Sequence, residues 1–323
     1  TVVVQPTKQS MIWILDAATG KPVHPWEERP VVQSQIPGER TSPTQPFTIL
    51  PPPFLPATVK RDELSQLSSQ ANAECRALFD ERKLSDVGPF SVPKGDGAWA
   101  LNSIGSIGGM DWGGVSIDPV RGMAFANVSN MPTHITVAKT TTGVKGNGGL
   151  TVNVSNVRFH DKSGRSCNGG RQGELVAVNL GSGKIEWRAP LGSLEEEYGT
   201  GAKDMGATSI GPTLVTRGGV VFAAASDDHL YAHDARTGKV LWGIRMPASS
   251  DAGPMTYTGK DGRQYVVIAA GGPGGSRRPS PRENALYRQV LIAFALPKPG
   301  ELPVDIITPY PPKQQGPGAW PPN

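Results

Sequence analysis

Short apolar runs alternate with compact polar turns along most of this chain, and the clearest case is the stretch 219–242, GVVFAAASDDHLYAHDARTGKVLW. Two strand-like runs, 220–225 and 230–234, are separated by the polar residues 226–229, and this pattern predicts a hairpin. A Thr-Gly turn follows, and the next run ends at Trp242. The stretch therefore predicts an antiparallel β unit that closes on a tryptophan.

The same phrase occurs at two other places. Residues 175–187 repeat it almost position for position and end at Trp187, whereas residues 12–23 repeat it and end at Pro-Val. Three copies of one small β unit indicate a repeat architecture. A four-stranded sheet built on such a hairpin cannot bury both faces alone, so radial stacking of copies is favoured. We therefore predict an all-β fold, a partial β-propeller over residues 1–297.

Other segments extend this pattern at both ends of the chain. Residues 1–23 predict two strands joined by a polar turn, and 115–128 predict a further hairpin. Residues 255–270 flank a Gly-Lys-Asp-Gly turn, which is a strong hairpin signal. The run 290–295 predicts the last strand. The Pro-rich residues 298–323 predict an extended tail.

A long insertion is predicted at 24–108. Its first part, 24–57, is rich in proline and has no periodicity, which is typical of a functional loop or a linker. Apolar residues at helical spacing predict one helix over 62–84, with Asp62 as N-cap, that packs as a lid or brace on the sheet edges. Residues 129–170 predict a second excursion with at most an edge strand.

Composition narrows the class of protein. The 323 residues include 40 Gly and 31 Pro with only 19% charged residues, which suits many short strands joined by loops. The net charge of +4 is scattered and forms no basic stripe with aromatics, so nucleic-acid binding is not expected. No apolar run approaches the roughly 20 residues of a membrane helix. Because the chain opens directly in a strand without a signal peptide, we expect it to be part of a longer polypeptide.

Motifs that would carry chemistry are few. The five histidines show no metal-ligand spacing, and no nucleophile elbow, phosphate loop or dinucleotide fingerprint occurs. Cys75 and Cys167 leave two alternatives open, one disulfide or two separate thiols. Asp227 lies in a turn, where aspartate is favoured for backbone hydrogen bonding. The residues alone predict a propeller and no particular reaction.

Four passages resemble the C-terminal part of the pyrroloquinoline quinone (PQQ)-dependent dehydrogenases, in the membrane-associated glucose/quinate/shikimate branch. They are PTKQSMIWILDAATGKPVHPWEERPV at 6–31, TSPTQPF at 41–47, GGMDWGGVSIDPVRG at 108–122, and a series that runs from GGVVF at 218–222 to LIAFALP at 291–297. The resemblance covers 1–297. It implies about half of an eight-bladed quinoprotein propeller, in which the tryptophan of one blade docks against the next.

The resemblance also implies a reaction and a cofactor site. Such enzymes use PQQ and Ca²⁺ (or Mg²⁺) to oxidise a sugar, polyol or cyclic hydroxy acid, and they pass electrons to quinone. Lys8 matches the cation that hydrogen-bonds the quinone oxygens. Asp111 stands where glucose-type members carry an asparagine that contacts PQQ, and Trp112 follows in place. Asp227 matches an aspartate toward the cofactor side. The catalytic aspartate and the metal ligands match positions before Thr1, in a missing N-terminal half.

By the same resemblance we expect a Cys75–Cys167 disulfide and a periplasmic protein that N-terminal helices anchor in the inner membrane. Three departures stand out: Asp111, Pro273 in place of a frequent histidine, and Asn168–Gly173 in place of a Pro-Pro-aromatic-Gly phrase. These departures favour a rival interpretation, a non-catalytic propeller for binding or assembly. Lys8 and the TSPTQPF loop favour the enzyme.

Overall fold

The computed structural model describes residues 1–36, 39–56, 59–85, 88–95, 97–145, 151–271, 290–298 and 300. The strands are β1 Val2–Pro6, β2 Ile12–Asp16, β3 Trp26–Pro30, β4 Thr44–Thr48, β5 Ala100–Asn102, β6 Ser116–Asp118, β7 Met123–Ser129, β8 Thr133–Lys145, β9 Thr151–Arg158, β10 Gly173–Asn179, β11 Ile185–Pro190, β12 Leu214–Val215, β13 Val220–Ala224, β14 His229–Asp234, β15 Val240–Arg245, β16 Met255–Thr258, β17 Gln264–Ala270 and β18 Val290–Ala295. The helices are α1 Ser69–Glu81 and α2 Glu195–Tyr198, with 3-10 turns at Arg61–Glu63 and Thr200–Met205.

Two four-stranded antiparallel sheets form the centre of the fold, in the orders β6-β7-β10-β11 and β12-β13-β14-β15. A hairpin of β1 and β2 precedes them, and a three-stranded sheet of β16, β17 and β18 follows. Neighbours in sequence are neighbours in each central sheet, apart from one excursion between β7 and β10. This is the arrangement of propeller blades, and the predicted fold class is confirmed.

Strand β10 shows how the sheets stack. Leu175 and Ala177 are buried against Val221 of the following sheet. The alternate residues Val176 and Val178 belong to a different buried cluster, which includes Ile12 and Ile14 of β2. Because successive side chains of a strand point to opposite faces, β10 is covered on both sides. This double coverage explains why residues 175–178 of the strand are all apolar.

The tryptophan phrase works as a docking device between the two central sheets. The Trp187 Nε1–H group donates a hydrogen bond to the Ala235 carbonyl at 3.0 Å. Its ring lies on Gly238, where an added Cβ would come within 2.5 Å of the ring. Gly238 also has φ of 72°, a conformation that favours glycine. The tryptophan of one blade therefore packs on the Thr-Gly turn of the blade that follows it.

Trp242 is at the equivalent position of the next sheet but has a different environment. Its ring meets Phe294 edge-on with 5.5 Å between ring centroids, and the residue remains 38% exposed. We expect Trp187→Ala to lower the free energy of unfolding by about 3 kcal/mol, because it removes packing and a hydrogen bond. Trp242→Ala should cost about 1 kcal/mol. Urea unfolding of both variants measures the difference, and equal losses would contradict the docking role.

The helix begins later than its sequence pattern predicts. Helix α1 starts at Ser69, and the Ser68 Oγ accepts the Ala71 N–H at 3.1 Å as its N-cap. The predicted start at Asp62 is wrong, because Leu64 is fully buried and forms an extended β-bridge with Asn168. A residue held in a bridge cannot also continue a helix. The helical spacing of Leu64 is therefore a coincidence of the sequence.

Helix α1 braces the excursion between β7 and β10. Strands β5, β8 and β9 form a separate three-stranded sheet. Phe79 and Cys75 of α1 are buried with Leu101 of β5 and Phe159. The structure joins Cys75 to Cys167 in a disulfide. The helix is therefore fixed to this sheet by a covalent bond as well as by packing.

Two segments expected to be loops contain strands. The expectation of at most an edge strand within 129–170 is wrong, since β8 and β9 pair from Thr133↔Arg158 to Lys139↔Val152. Within 24–57, β3 and β4 form a two-stranded hairpin in which Pro46 is opposite Glu28. Both strands of an isolated hairpin are edges, where proline is tolerated. Pro273 and the predicted tail from 301 onward lie outside the described residues.

The β5–β8–β9 sheet contains a buried histidine. His134 is 2% exposed, its ring centroid is 4.7 Å from that of Trp99, and neither ring nitrogen has a hydrogen-bond partner among the described residues. Burial, and secondarily the charge of Arg82, lower the pKa of His134 to about 4. The histidine is therefore neutral in the folded protein at neutral pH.

This histidine predicts a pH dependence of stability. Its folded pKa of about 4 lies below the unfolded value of 6.5, so the unfolded chain binds more protons between these values. The contribution is complete above about 6.5 and is lost as pH falls through about 4. We expect His134→Phe to flatten this part of the stability curve, measured as urea midpoints across the pH range. A parallel loss in variant and wild type would contradict the assignment.

Candidate functional site

The sequence-derived candidates lie on connections at one end of the sheets. Lys8 is in the turn between β1 and β2, and Asp111 precedes β6. Within an antiparallel blade, the loop entering the first strand and the turn between the second and third strands emerge at the same end. Hydrogen bonds join such connections, as between the Gly109 N–H and the Lys8 carbonyl at 2.9 Å. The fold thus brings together residues that are about a hundred positions apart.

Lys8 and Asp111 form an ion pair. The Lys8 Nζ lies 3.3 Å from Asp111 Oδ1 and donates to the Ser106 carbonyl at 3.4 Å. The Lys8 side chain is 53% exposed, whereas that of Asp111 is 11% exposed. An ammonium group has three N–H donors, so one remains for an acceptor from solvent or a ligand.

Two glycines make this approach possible. An added Cβ at Gly108 would lie 2.6 Å from the Cβ of Lys8, and one at Gly109 would lie 1.6 Å from the Ser10 Oγ. Gly108 also has φ of 79°. A side chain at either position would therefore push the Lys8 turn away from the Asp111 loop. The two glycines of the Gly-Gly-Met-Asp-Trp sequence are therefore needed, because they let the backbone of the Asp111 loop contact the Lys8 turn.

A second carboxylate lies near this pair. Burial, and secondarily the charge of Asp111, raise the pKa of Asp251. A Cβ at Gly211 would lie 2.8 Å from the Asp251 carbonyl, so the loop that contains Gly211 and the loop that contains Asp251 also approach closely. Asp251 therefore adds a second carboxyl group, with a raised pKa, to the surroundings of Asp111. Asp251 could not be predicted from the sequence, because no local signal distinguishes it from other loop aspartates.

Trp112 and Asp227 are placed differently. The Trp112 N–H donates to Asp111 Oδ1 at 2.8 Å, and the residue is 67% exposed. Asp227 Oδ2 instead accepts the Tyr231 hydroxyl at 2.6 Å and the Ser193 N–H at 2.8 Å. Burial, followed by Asp227, raises the pKa of Tyr231. The structure thus groups Lys8, Asp111 and Trp112, while Asp227 joins the β13–β14 turn to the connection that follows β11.

The described residues contain no group of three or more histidine, cysteine or acidic side chains that could hold a metal ion. They do line two adjoining cavities at this end of the molecule, of about 260 Å³ and about 590 Å³. The cavities share Pro56, Asn130 and Gly170. In the sequence, the 168–173 segment stands out only as a departure from the family phrase. The structure shows that it forms a cavity wall.

The stacked sheets define a β-propeller, and the Lys8–Asp111 ion pair lies at the end of the propeller where the connecting loops emerge. Residues 1–266 match the family profile described as "Glucose/ethanol/alcohol dehydrogenase, beta-propeller domain", which is a PQQ family. The chain is 34% identical to a probable quinate dehydrogenase (quinone) of Xanthomonas campestris pv. juglandis, with 91% of this chain and 39% of the relative covered. The chain therefore belongs to the PQQ-dependent dehydrogenase family, as its sequence motifs predict.

Further relatives give the same family. The chain is 31% identical to the quinate/shikimate dehydrogenase (quinone) of Acinetobacter baylyi, over 92% of this chain and 38% of that protein. It is 29% identical to the quinoprotein glucose dehydrogenase of Escherichia coli, over 92% of this chain and 38% of that protein. The chain spans about two fifths of the length of these curated relatives.

A solved structure supports the fold. A europium-containing methanol dehydrogenase superimposes with a TM-score of 0.50 at 17% sequence identity. The superposition covers 84% of this chain and 36% of that one. At this identity the likeness concerns the propeller fold alone.

Proposed function

We propose that this chain is part of a PQQ-dependent dehydrogenase that oxidises an alcohol group of a sugar, polyol or cyclic hydroxy acid and passes the electrons to quinone. The observation that carries the proposal is the Lys8 ammonium, which Asp111 and the Ser106 carbonyl hold at the loop end of the propeller. A pure scaffold has no need of a lysine fixed in this way and still half-exposed. The family membership gives the reaction class.

The residues present fit the cofactor's quinone. Lys8 keeps a donor for a quinone oxygen, and the exposed Trp112, which follows Asp111 in the chain, offers an apolar ring. Bound PQQ would supply the hydride acceptor, and reduction would place negative charge on its oxygens. Lys8 would stabilise that charge through a charge-assisted hydrogen bond. Because Asp111 and Ser106 orient the ammonium beforehand, little reorganisation is needed when the charge develops.

Asp251 would limit the repulsion of an anionic cofactor. Two ionised carboxylates beside Lys8 would give this group a net negative charge. Burial, and secondarily the charge of Asp111, raise the pKa of Asp251, so its carboxyl group takes up a proton more readily than an ordinary aspartate. A proton on Asp251 would leave the charges of Lys8 and Asp111 to balance each other, and the site would admit an anion more readily.

The metal requires residues beyond those described, because none of these group as metal ligands. We place the Ca²⁺ (or Mg²⁺) ligands and the catalytic aspartate in a missing N-terminal half of the propeller, which would be this chain's partner. Asp227 would support the loops on the cofactor side. No described helix has the length and hydropathy needed to cross a membrane. We place the protein in the periplasm, with an N-terminal anchor in the inner membrane, and the disulfide supports an oxidising compartment.

Reconstitution of the full-length protein tests this function. We expect PQQ to quench its tryptophan fluorescence saturably, and PQQ with Ca²⁺ to produce dye-linked oxidation of a sugar, polyol or cyclic hydroxy acid. Omitting either PQQ or Ca²⁺ should abolish the oxidation but leave the fold intact by circular dichroism. If the folded protein neither binds PQQ nor reduces the dye, the proposal is wrong.

A second candidate is a non-catalytic propeller for binding or assembly. The observation that favours it is the Asp111 carboxylate beside Lys8, with the Asp251 carboxyl group close enough for the charge of Asp111 to raise its pKa. If both are ionised, the site repels PQQ. Folded full-length protein that binds a protein partner but not PQQ would support this candidate.

A further inference from the structure

The two adjoining cavities, which we call the double cavity, share their support with the Lys8–Asp111 pair. Phe54 lines the larger one, and its N–H donates to the Ser10 carbonyl at 2.8 Å. Asn130 lines both cavities, and the preceding Ser129 N–H donates to the Gly109 carbonyl at 2.7 Å. Each anchor is two residues from Lys8 or Asp111. The double cavity therefore opens at the same end of the propeller as the candidate cofactor contact.

Buried polar side chains line the smaller cavity. Ser103 is 3% exposed, and its Oγ has no hydrogen-bond partner among the described residues. Asn130 and Asn168 are 6% and 7% exposed, and the hydrogen bonds from the Asn168 side-chain amide are long, at 3.5 Å. A buried hydroxyl without a partner costs free energy. Hydroxyl and amide groups of this kind suit a ligand that carries several hydroxyl groups.

The larger cavity has more guanidinium groups than carboxylates. The Glu174 carboxylate accepts hydrogen bonds from Arg188 on both oxygens, and Arg171 donates to its Oε1 at 3.0 Å. Arg188 also donates to the Phe54 carbonyl at 2.8 Å. Arg171 has five N–H donors, its side chain is 42% exposed, and one carboxylate is shared between two arginines. In the smaller cavity, Lys60 and Glu63 pair at 2.9 Å and balance each other.

We propose that the double cavity binds a small hydroxylated carboxylate, with the Arg171 guanidinium on the carboxylate and Ser103, Asn130 and Asn168 on the hydroxyls. A planar guanidinium matches a carboxylate in a two-pronged geometry, so it selects an acid over a neutral polyol. The proposal deepens the proposed function, on which it rests for the ligand's role as substrate. It also assigns a function to the 168–173 segment. This segment differs from the family phrase, and its Arg171 lines the cavity.

Gly170 is a second position at which the same site can be altered. An added Cβ there would have its nearest neighbour, the Asn130 Nδ2, at 3.9 Å. A side chain at this position would therefore enter open space. At Gly169, by contrast, a Cβ would lie 1.7 Å from the Glu63 carbonyl. Gly170→Val thus fills the cavity without a backbone clash, and Gly169 is unsuitable for such a test.

Calorimetric titration of the full-length protein without PQQ tests the site by binding alone. Two matched pairs of probes differ in a carboxylate: D-gluconate against D-sorbitol, and quinate against myo-inositol. We expect at least one acid to bind at least about 10-fold more tightly than its neutral counterpart. Arg171→Gln should remove most of that preference, and Gly170→Val should weaken binding of the acid itself. Arg236→Gln, at an exposed turn elsewhere, is the matched control.

Each outcome either supports or overturns the proposed binding site, provided that circular dichroism shows that every variant is folded. Equal binding of acid and neutral counterpart in both pairs, no binding of either acid, or an unchanged preference in Arg171→Gln would overturn the proposal. PQQ titration of the same preparations separates it from the proposed function. Intact PQQ binding without acid binding rejects only the double cavity as a site. Acid binding without PQQ binding rejects the dehydrogenase function and leaves the site standing.

Discussion

Replacing Lys8 by alanine in the reconstituted full-length protein is expected to lower the dehydrogenase turnover by about 100-fold or more. The Lys8 ammonium is the group that Asp111 and the Ser106 carbonyl hold in place, and alanine leaves no donor there. Negative charge that develops on the quinone oxygens would then lose its counter-charge. Turnover with a dye acceptor at saturating PQQ, Ca²⁺ and substrate measures the effect.

Two further variants separate charge from general damage. Lys239→Ala removes an exposed lysine from a Thr-Gly turn and should leave turnover within about 2-fold of wild type. Lys8→Arg keeps a cation and should retain more activity than Lys8→Ala. If Lys8→Ala and Lys239→Ala have the same turnover, Lys8 does not serve the reaction.

Removing the Cys75–Cys167 disulfide is expected to lower the free energy of unfolding by about 3–4 kcal/mol. The bond joins residues 92 positions apart, so it strongly restricts the unfolded chain. Both cysteines are fully buried in an apolar cluster with Phe79 and Phe159. Alanine is therefore the suitable replacement, because serine would bury two hydroxyl groups. Urea unfolding of the double variant Cys75→Ala, Cys167→Ala measures the loss.

Reduction provides an independent check on the same bond. Dithiothreitol should lower the unfolding midpoint of the wild type toward that of the double variant and leave the variant unchanged. A wild type that is indifferent to reductant, with both thiols free by mass spectrometry, would contradict the disulfide. A variant with an unchanged midpoint would show that packing of α1 alone fixes the excursion.

The blade hairpins were predictable because their signals are local. In 219–242 the two strands, the polar turn and the closing tryptophan lie within 24 residues, and the structure has β13, β14 and β15 there. Asp228 in that turn adopts φ of 67°, a conformation that aspartate tolerates better than most residues. Alternation, turn chemistry and repetition all point to the same sheet, so each supports the others.

The excursions were less predictable because their partners are remote. Strand β5 pairs with β8 through Leu101↔His134, across 33 positions of sequence. Leu64 fits a helical pattern, yet its bridge to Asn168 ends that pattern before the helix begins. Such pairings outweigh local propensity, since burial and ladder hydrogen bonds depend on the partner strand. No window of sequence around Leu64 contains that information.

By itself, the sequence determined the class of fold and the family, and it predicted the residues that a cofactor would contact, Lys8, Asp111, Trp112 and Asp227. It could do so because repeats and family phrases are written in neighbouring residues. The tertiary structure alone decided which of these meet: Lys8 pairs with Asp111, the charge of Asp111 acts on Asp251, and Asp227 bonds to Tyr231 and Ser193 instead. Only the structure revealed Arg171 at a cavity. Contacts between loops follow from how the blades stack, and stacking is set by burial across the whole core rather than by any local run of residues.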